Sequence, residues 1–371
     1  METDKTDKTD KSTKSTKSTV QSSNKCITSC EIINELEPLI DADLKHFKIN
    51  KDTLNKMEEI YLTNDKYHRN ILKLVVKDNK IEFIRDVSII DKETNERMDL
   101  MIKLIKKAQE FMDSKNNKLS DCTIYLYVSN VYAYEYQDLP FFVLARPNNR
   151  TGILFPDETF IFHKIKDIEL NWDEIKEVIM SHCGMEKYDK INKLYFRGSN
   201  AGGDKHNLRK LLEKERKYNN FYDITIGSYN IPLYGFCKYK YLLNLPANQP
   251  WSARFKYLLL MKSLMIHVDI RQHYEFSENE PWITLFGQLF KDKREFVNLV
   301  YDWYNNDEVK NKQNLNKLVG EIKDAYVYYE DNPDVYDELV KNAFRKINII
   351  TLEVVYETIY LIINKYADNF N

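Results

Sequence analysis

The sequence predicts an α/β protein organised around a parallel sheet. Beyond roughly residue 172 the chain twice repeats a strand, a polar turn, a helix and a second strand, the pattern of βαβ crossovers. An apolar share of 43% across 371 residues supplies enough side chains for a substantial core. At roughly 150 residues per domain the length points to two domains. We place them at 29–171 and 172–346, after a low-complexity tail at 1–28 and before a closing helix at 347–371.

The tail repeats Thr-Asp-Lys and then Ser-Thr-Lys, carries almost no apolar side chain, and is expected to be disordered because it cannot offset its own ordering entropy. Helical spacing follows in EIINELEPLI and in MDLMIKLIKKAQEFM, where Met98, Met101, Ile102, Ile105 and Phe111 recur near a 3.6-residue period. Between them, ILKLVVKDNKIEFIRDV reads as a hairpin turning at Asp78-Asn79. TIYLYVSNV and PFFVLA read as buried strands. The first crossover runs KLYFRG, the turn SNAGGDKHN, a helix around 208–217, and YDITIG. The second runs KYLLNL, the turn PANQPWSA, a helix through ARFKYLLLM, and SLMIHV. Near the end, KREFVNLVYDWYNN puts Phe296, Leu299, Val300 and Trp303 on one helical face, and LEVVYETIYLIINKY does the same with Leu352, Val355, Ile359 and Ile362. Both segments are expected to be docked helices.

Charge and cysteine usage narrow the function classes. Lys+Arg 55 against Asp+Glu 57 leaves a formal charge of -2, so no long-range attraction to nucleic acid or an anionic membrane is expected. The 26 tyrosines are expected to pack in cores and interfaces, because no RRM-type aromatic signature accompanies them. No apolar run reaches the roughly 20 residues of a membrane span, and no signal peptide or retention tetrapeptide is seen, so a cytoplasmic location is expected. Cys26, Cys30, Cys122, Cys183 and Cys237 form neither an even set nor a paired zinc pattern, which reads as reduced thiols. No metal site is expected: the seven histidines show no ligand spacing, and the Asp41-Ala42-Asp43 triplet reads as a helix cap.

The residues with chemical potential gather in the crossover turns. In YFRGSNAGGDKHNLRKLL, Arg197 ends a strand, Gly198, Gly202 and Gly203 permit close backbone approach, and Arg209 follows in the helix. Exposed amides, absent Cβ atoms and fixed positive charge are what a phosphate-binding turn requires. The pattern is neither a Walker A loop nor G-x-G-x-x-G. Ser252 and Arg254 occupy the equivalent turn of the second crossover. Two crossovers thus aim donors at one sheet edge, an arrangement that fits a diphosphate, since the arginine fork binds phosphate oxygens bidentately.

YFRGS at 195–199, CKYKYLLNL at 237–245, WSARFKYLLLMKSLMIHV at 251–268 and YEF followed by PW at 274–282 resemble glycosyltransferase family 90, as do FPDETF at 155–160 and the closing helix. That family includes protein O-glucosyltransferases and capsule-associated xylosyltransferases. The resemblance implies a GT-B-like architecture, with two Rossmann-like domains facing a cleft and the C-terminal helix packing back toward the N-terminal half. It further implies a UDP-sugar donor, held by Arg197, Gly198, Ser199, Ser252 and Arg254 around the diphosphate, with Glu275 toward the ribose and Lys240 beside the same edge. No further cofactor is implied; the partners are the nucleotide sugar and a glycan or protein hydroxyl acceptor.

The sequence departs from the family pattern at four places. Asn130 stands where relatives carry an aspartate, and an amide cannot accept the acceptor hydroxyl's proton. Glu135 or Asp138, in the same loop, is the substitute base the sequence offers, and a relative that binds without catalysis is the alternative. Asn200 follows FRGS where arginine or threonine is common, PANQPWSAR is one residue longer than the common D-G-x-x-W-S-x-R pattern, and Lys262 replaces the glycine before Ser263-Leu264.

Overall fold

The computed structural model describes residues 28–63, 70–85, 92–129, 137–165, 168–184, 187–199, 208–217, 220–227, 232–246, 253–290 and 294–369. The chain begins with α1 (Ser29–Lys45), α2 (Lys51–Leu62), β1 (Ile71–Lys77), β2 (Lys80–Ile84), α3 (Lys92–Ser114) and β3 (Cys122–Tyr127). Short strands follow: β4 (Phe142–Val143), β5 (Arg146–Pro147), β6 (Ile153–Leu154), β7 (His163–Ile165) and β8 (Ile168–Leu170), then α4 (Trp172–His182). The crossover region holds β9 (Ile191–Gly198), α5 (Leu208–Glu215), β10 (Tyr222–Ile226), β11 (Tyr239–Asn244), α6 (Arg254–Leu259) and β12 (Leu264–His273). After β13 (Glu278–Asn279), β14 (Trp282–Ile283) and β15 (Val297–Tyr304) come α7 (Glu308–Asp331), α8 (Pro333–Ile349) and α9 (Leu352–Asp368).

Two principal sheets result. The first has the order β2-β1-β3-β4-β6, with β1 antiparallel to β2 and β3, and β3, β4 and β6 parallel. Its hairpin turns at Asp78 and Asn79 as expected; both have left-handed φ, 51° and 61°, which a two-residue turn demands and these short polar side chains tolerate. The second sheet runs β10-β9-β11-β12, with β15 along the outer part of β12, all parallel. Both expected crossovers are therefore present.

One expected helix is a strand. Residues 297–304 pair with 266–273 of β12 over eight positions instead of coiling. Val297, Leu299, Tyr301 and Trp303 form an apolar row at every second position, and they join the core on one face of the sheet. The helical reading through Phe296, Leu299, Val300 and Trp303 competes with that alternation, and eight residues of partnered backbone decide the outcome.

The Asp41-Ala42-Asp43 triplet does not cap a helix. Thr28 begins α1 with a capping box, its hydroxyl taking the Glu31 amide while the Glu31 carboxylate takes the Thr28 amide, so both aspartates fall near the far end. Asp43 is buried against Arg146, 2.5 Å away, and also accepts from the Leu154 amide. Burial nevertheless pushes its carboxyl above the usual range. The cysteines depart from expectation too: Cys183, capping α4, and Cys237, in the 3-10 turn before β11, form a disulfide. They lie 54 residues apart, and only the docking of α4 on that turn brings them together.

The closing helix packs back onto the N-terminal half. Lys365 reaches Glu37 and Asp41 of α1 at 2.9 and 2.8 Å, and Asn364 accepts from the Ser120 amide. Val354, Val355, Ile359, Ile362 and Ile363 are fully buried, each contributing about 1.5–3 kcal/mol. The larger apolar core runs from these helices through the first sheet and onto the α6 face of the second, while a smaller core fills the opposite face beneath α5, α7 and α8. Among the described residues no single helix is long and apolar enough to cross a membrane.

Candidate active site

A parallel sheet opens its ligand crevice beyond the carboxyl ends of its strands, where the strand order reverses. Here the chain leaves β9 toward β10 on one side, and leaves β11 toward β12 and β15 on the other, so the reversal lies between β9 and β11. Arg209, in the first turn of α5, donates to the Ser199 carbonyl at 2.7 Å and the Leu245 carbonyl at 3.3 Å, tying the two strand ends together. Arg254 opens α6 and donates to the Arg197 carbonyl at 3.0 Å. Both guanidinium groups lie beside the Phe196 ring, 5.2 and 5.3 Å from its centre, within range of cation–π attraction. Gly198 makes room for this: a Cβ there would stand 2.6 Å from the end of the Phe196 ring and 3.5 Å from the Arg209 guanidinium.

Arg197 sends its own side chain elsewhere. Alternation along β9 puts Phe196 in the α5-side core and Tyr195 on the other face, where the Arg197 guanidinium lies 4.6 Å from the Tyr195 ring centre. It donates to the Asp223 carboxylate and to the Asp223 carbonyl, both at 2.7 Å, while the Tyr239 hydroxyl donates to the second carboxylate oxygen at 2.9 Å. Burial opposes the Asp223 charge, but the hydrogen bonds from Arg197 and Tyr239 outweigh it and hold the carboxyl below its usual range. The converging pair of cations is thus Arg209 with Arg254, and Arg197 contributes its carbonyl.

Lys240 is placed away from this crevice, which corrects the expectation for it. It is the second residue of β11, so it lies at the amino end, where its ammonium pairs with Glu330 of α7 and the Tyr241 hydroxyl joins the same carboxylate at 2.5 Å. Ser199 is exposed just past β9, and Glu275 is exposed in the bend after β12, also on the carboxyl side of the sheet. Asp138 is exposed in the turn before β4. Ser252, Asn130, Glu135, Asn200, Gly202 and Gly203 lie outside the described residues, as do Cys26 and most of the tail.

Two side-chain clusters support α6 and were not legible beforehand. FPDETF follows β6, and its Asp157 meets Lys256 of α6 at 2.9 and 3.2 Å across 99 residues of sequence. Lys256 also sits 3.7 Å over the Phe160 ring. Burial disfavours both charges, yet the adjacent ammonium keeps the Asp157 carboxyl below its usual range. A small cleft beside this pair is lined by Phe155, Phe160, Ala253, Phe255 and Phe286. His163 lies nearby, and burial with the Lys256 charge pushes its pKa down to about 4, so it is neutral. The second cluster crosses three strands: Asn244 faces His267 Nδ1 at 2.9 Å, His267 Nε2 meets Asp269 at 3.0 Å, and Asn298 donates to the other Asp269 oxygen at 2.9 Å. The signal for it was present only as polar residues at successive inward positions of buried strands.

Chemically, two fixed cations at a strand-order reversal can hold a diphosphate and stabilise charge developing on it as a leaving group. Among the described residues no group of three or more His, Cys, Asp or Glu side chains is placed to hold a metal ion. No curated protein matches the chain. The profile of glycosyl transferase family 90 matches residues 38–308, most of the chain and both sides of the crevice. With the family's sequence pattern spanning the mixed α/β fold and its two crossovers, the chain belongs to glycosyltransferase family 90.

Proposed function

We propose that the protein transfers a sugar, glucose or xylose, from a UDP-sugar to a hydroxyl of a glycan or protein, inverting the anomeric centre in one in-line displacement without a required metal. The convergence of Arg209 and Arg254 on the reversal between β9 and β11 carries this reading. In it the two halves form a GT-B-like pair, the diphosphate lies against Arg209, Arg254, Ser252 and the Gly198-Ser199 backbone, and Glu275 faces the ribose. The acceptor hydroxyl gives its proton to Glu135 or Asp138, with Asn130 hydrogen-bonding the acceptor. Preorganised cations act on the departing UDP, whose charge is greatest in the transition state.

Calorimetry with UDP tests the site: micromolar binding that Arg254→Ala weakens at least tenfold supports it, and unchanged affinity in that variant overturns it. A screen of UDP-glucose, UDP-xylose, UDP-galactose and UDP-N-acetylglucosamine, read as hydrolysis or transfer, identifies the donor. Asn130 favours a second reading, a relative that binds nucleotide sugar without transferring it. Turnover that Glu135→Gln or Asp138→Asn abolishes excludes that reading.

A further inference from the structure

We propose that His267 takes up a proton when a nucleoside diphosphate binds, acting as a positioning residue through Asn244; this rests on the nucleotide-sugar reading above. Asn244 is the last residue of β11, one position before the carbonyl that Arg209 grips at the crevice. It is 1% exposed, and its amide nitrogen faces His267 Nδ1, leaving its Oδ1 buried with no hydrogen-bond partner. Nε2 of the same imidazole faces the Asp269 carboxylate, which can only accept, so Nε2 carries a proton.

Donor and acceptor counting then leaves two states. With His267 neutral, Nδ1 accepts from the Asn244 amide and Oδ1 is the atom left over. With His267 protonated, Nδ1 donates, the amide rotates to present Oδ1 to the ring, and the NH₂ group is left over. Either way one end of a buried amide is left without a partner inside the network, and an unmet buried polar group is costly. An anion at the strand ends, one residue beyond Asn244, is repelled by a leftover carbonyl dipole and attracted by a leftover NH₂ and by the imidazolium, so an anion in the crevice selects the protonated state.

The surroundings permit that charge. His267 and Asp269 are 15% and 14% exposed, so protons reach them from solvent. Asp269 is the carboxylate in contact with the ring; Phe255 of α6 and Phe296 flank it at 5.2 and 5.8 Å, and Asn298 of β15 steadies Asp269. Among the charged neighbours carried by those elements, Arg254 donates to the Arg197 carbonyl, Lys256 pairs with Asp157, and Glu295 lies 3.8 Å from Lys346.

Calorimetry of UDP binding to the full chain between pH 5.5 and 8, in buffers of differing ionisation enthalpy, tests this. Beyond the linkage of the UDP terminal phosphate, which titrates at about pH 6, the wild type should take up a proton on binding, its affinity gaining on that of His267→Gln as pH falls by at most tenfold per unit, the limit for one linked site. His267→Gln, which cannot be protonated, should bind UDP with only the phosphate's own proton linkage. The His267 ring resonance, followed by NMR in the wild type alone, should titrate at higher pH with UDP bound. Equal proton linkage in the wild type and His267→Gln, or an unmoved His267 titration, overturns the inference and leaves the nucleotide reading standing. Absence of UDP binding at every pH overturns both.

Discussion

The two sheets differ in how they meet the rest of the molecule. The first opens with an antiparallel hairpin whose register is set locally by Asp78 and Asn79, and only β3, β4 and β6 run parallel. The second is parallel across β10, β9, β11, β12 and β15, so successive strand ends open on one edge, and the helices after β9 and β11 begin there with cations, Arg209 and Arg254. A hairpin spends its turn on closing the pair, whereas a crossover leaves its strand-to-helix turn free to carry chemistry. The join between them is again at strand ends: the segment after β6 supplies Asp157, and the helix after β11 supplies Lys256. The position of Arg254, two residues from Lys256 on α6, therefore depends on a partner in the other half.

Breaking that join has the largest expected effect. Lys256→Met leaves the Asp157 carboxylate buried without its cation and should cost about 3–5 kcal/mol in denaturant unfolding, while Lys256→Met combined with Asp157→Leu should recover most of the loss. If the single variant unfolds like the wild type, the two halves are not coupled through this pair. Next come the crevice cations. Arg254→Ala should lower turnover about 10²- to 10³-fold with the fold intact, and Arg197→Ala, whose guanidinium is held by Asp223 on the opposite face, should lower it less. An equal or larger loss in Arg197→Ala would show that the bound state rearranges β9.

A smaller effect distinguishes the support beneath α6. Lys190 donates to the Met261 and Lys262 carbonyls and the Ser263 hydroxyl at 2.9, 2.6 and 2.7 Å, and burial, with the Lys262 charge, pushes its pKa down from 10.5 to about 7. Because the folded value lies below the unfolded one, its contribution is fully present above pH 10.5 and is lost as pH falls toward about 7. Wild-type stability should therefore gain on that of Lys190→Met as pH rises across this window, as read by urea midpoints; parallel curves would show that the ammonium titrates normally. The smallest effect is at Lys262, held at a left-handed φ of 49° where the family pattern has glycine. Lys262→Gly relieves about 1 kcal/mol of backbone strain and forfeits about 0.5 kcal/mol of its contact over the Phe344 ring, a net gain visible as a higher melting temperature.

Much of this was legible along the chain because the signals are local. The hairpin at Asp78-Asn79, both crossovers and the helix from Leu352 follow from turn residues and apolar periods that neighbouring residues define among themselves. Where two periods compete, as over 296–304, the sequence is ambiguous, and pairing with β12 selects the strand. The motif pattern likewise carried the family, but it paired Arg197 with Arg254 around the diphosphate, whereas the Arg197 guanidinium turns to Asp223 and Arg209 stands beside Arg254.

By itself, then, the sequence determined the α/β class, the crossover turns as the place where charge collects, and family membership, because each of these is written within a few turns of chain. Only the tertiary structure decided that Arg197 turns to Asp223, that Lys240 lies at the amino end of its strand, and that Asp157 with Lys256, Cys183 with Cys237, and Asn244 with His267 are partners. The reason is physical: a charged or polar side chain carries no mark of its partner, and burial across distant segments selects the pairing that leaves the fewest charges and hydrogen bonds unmet.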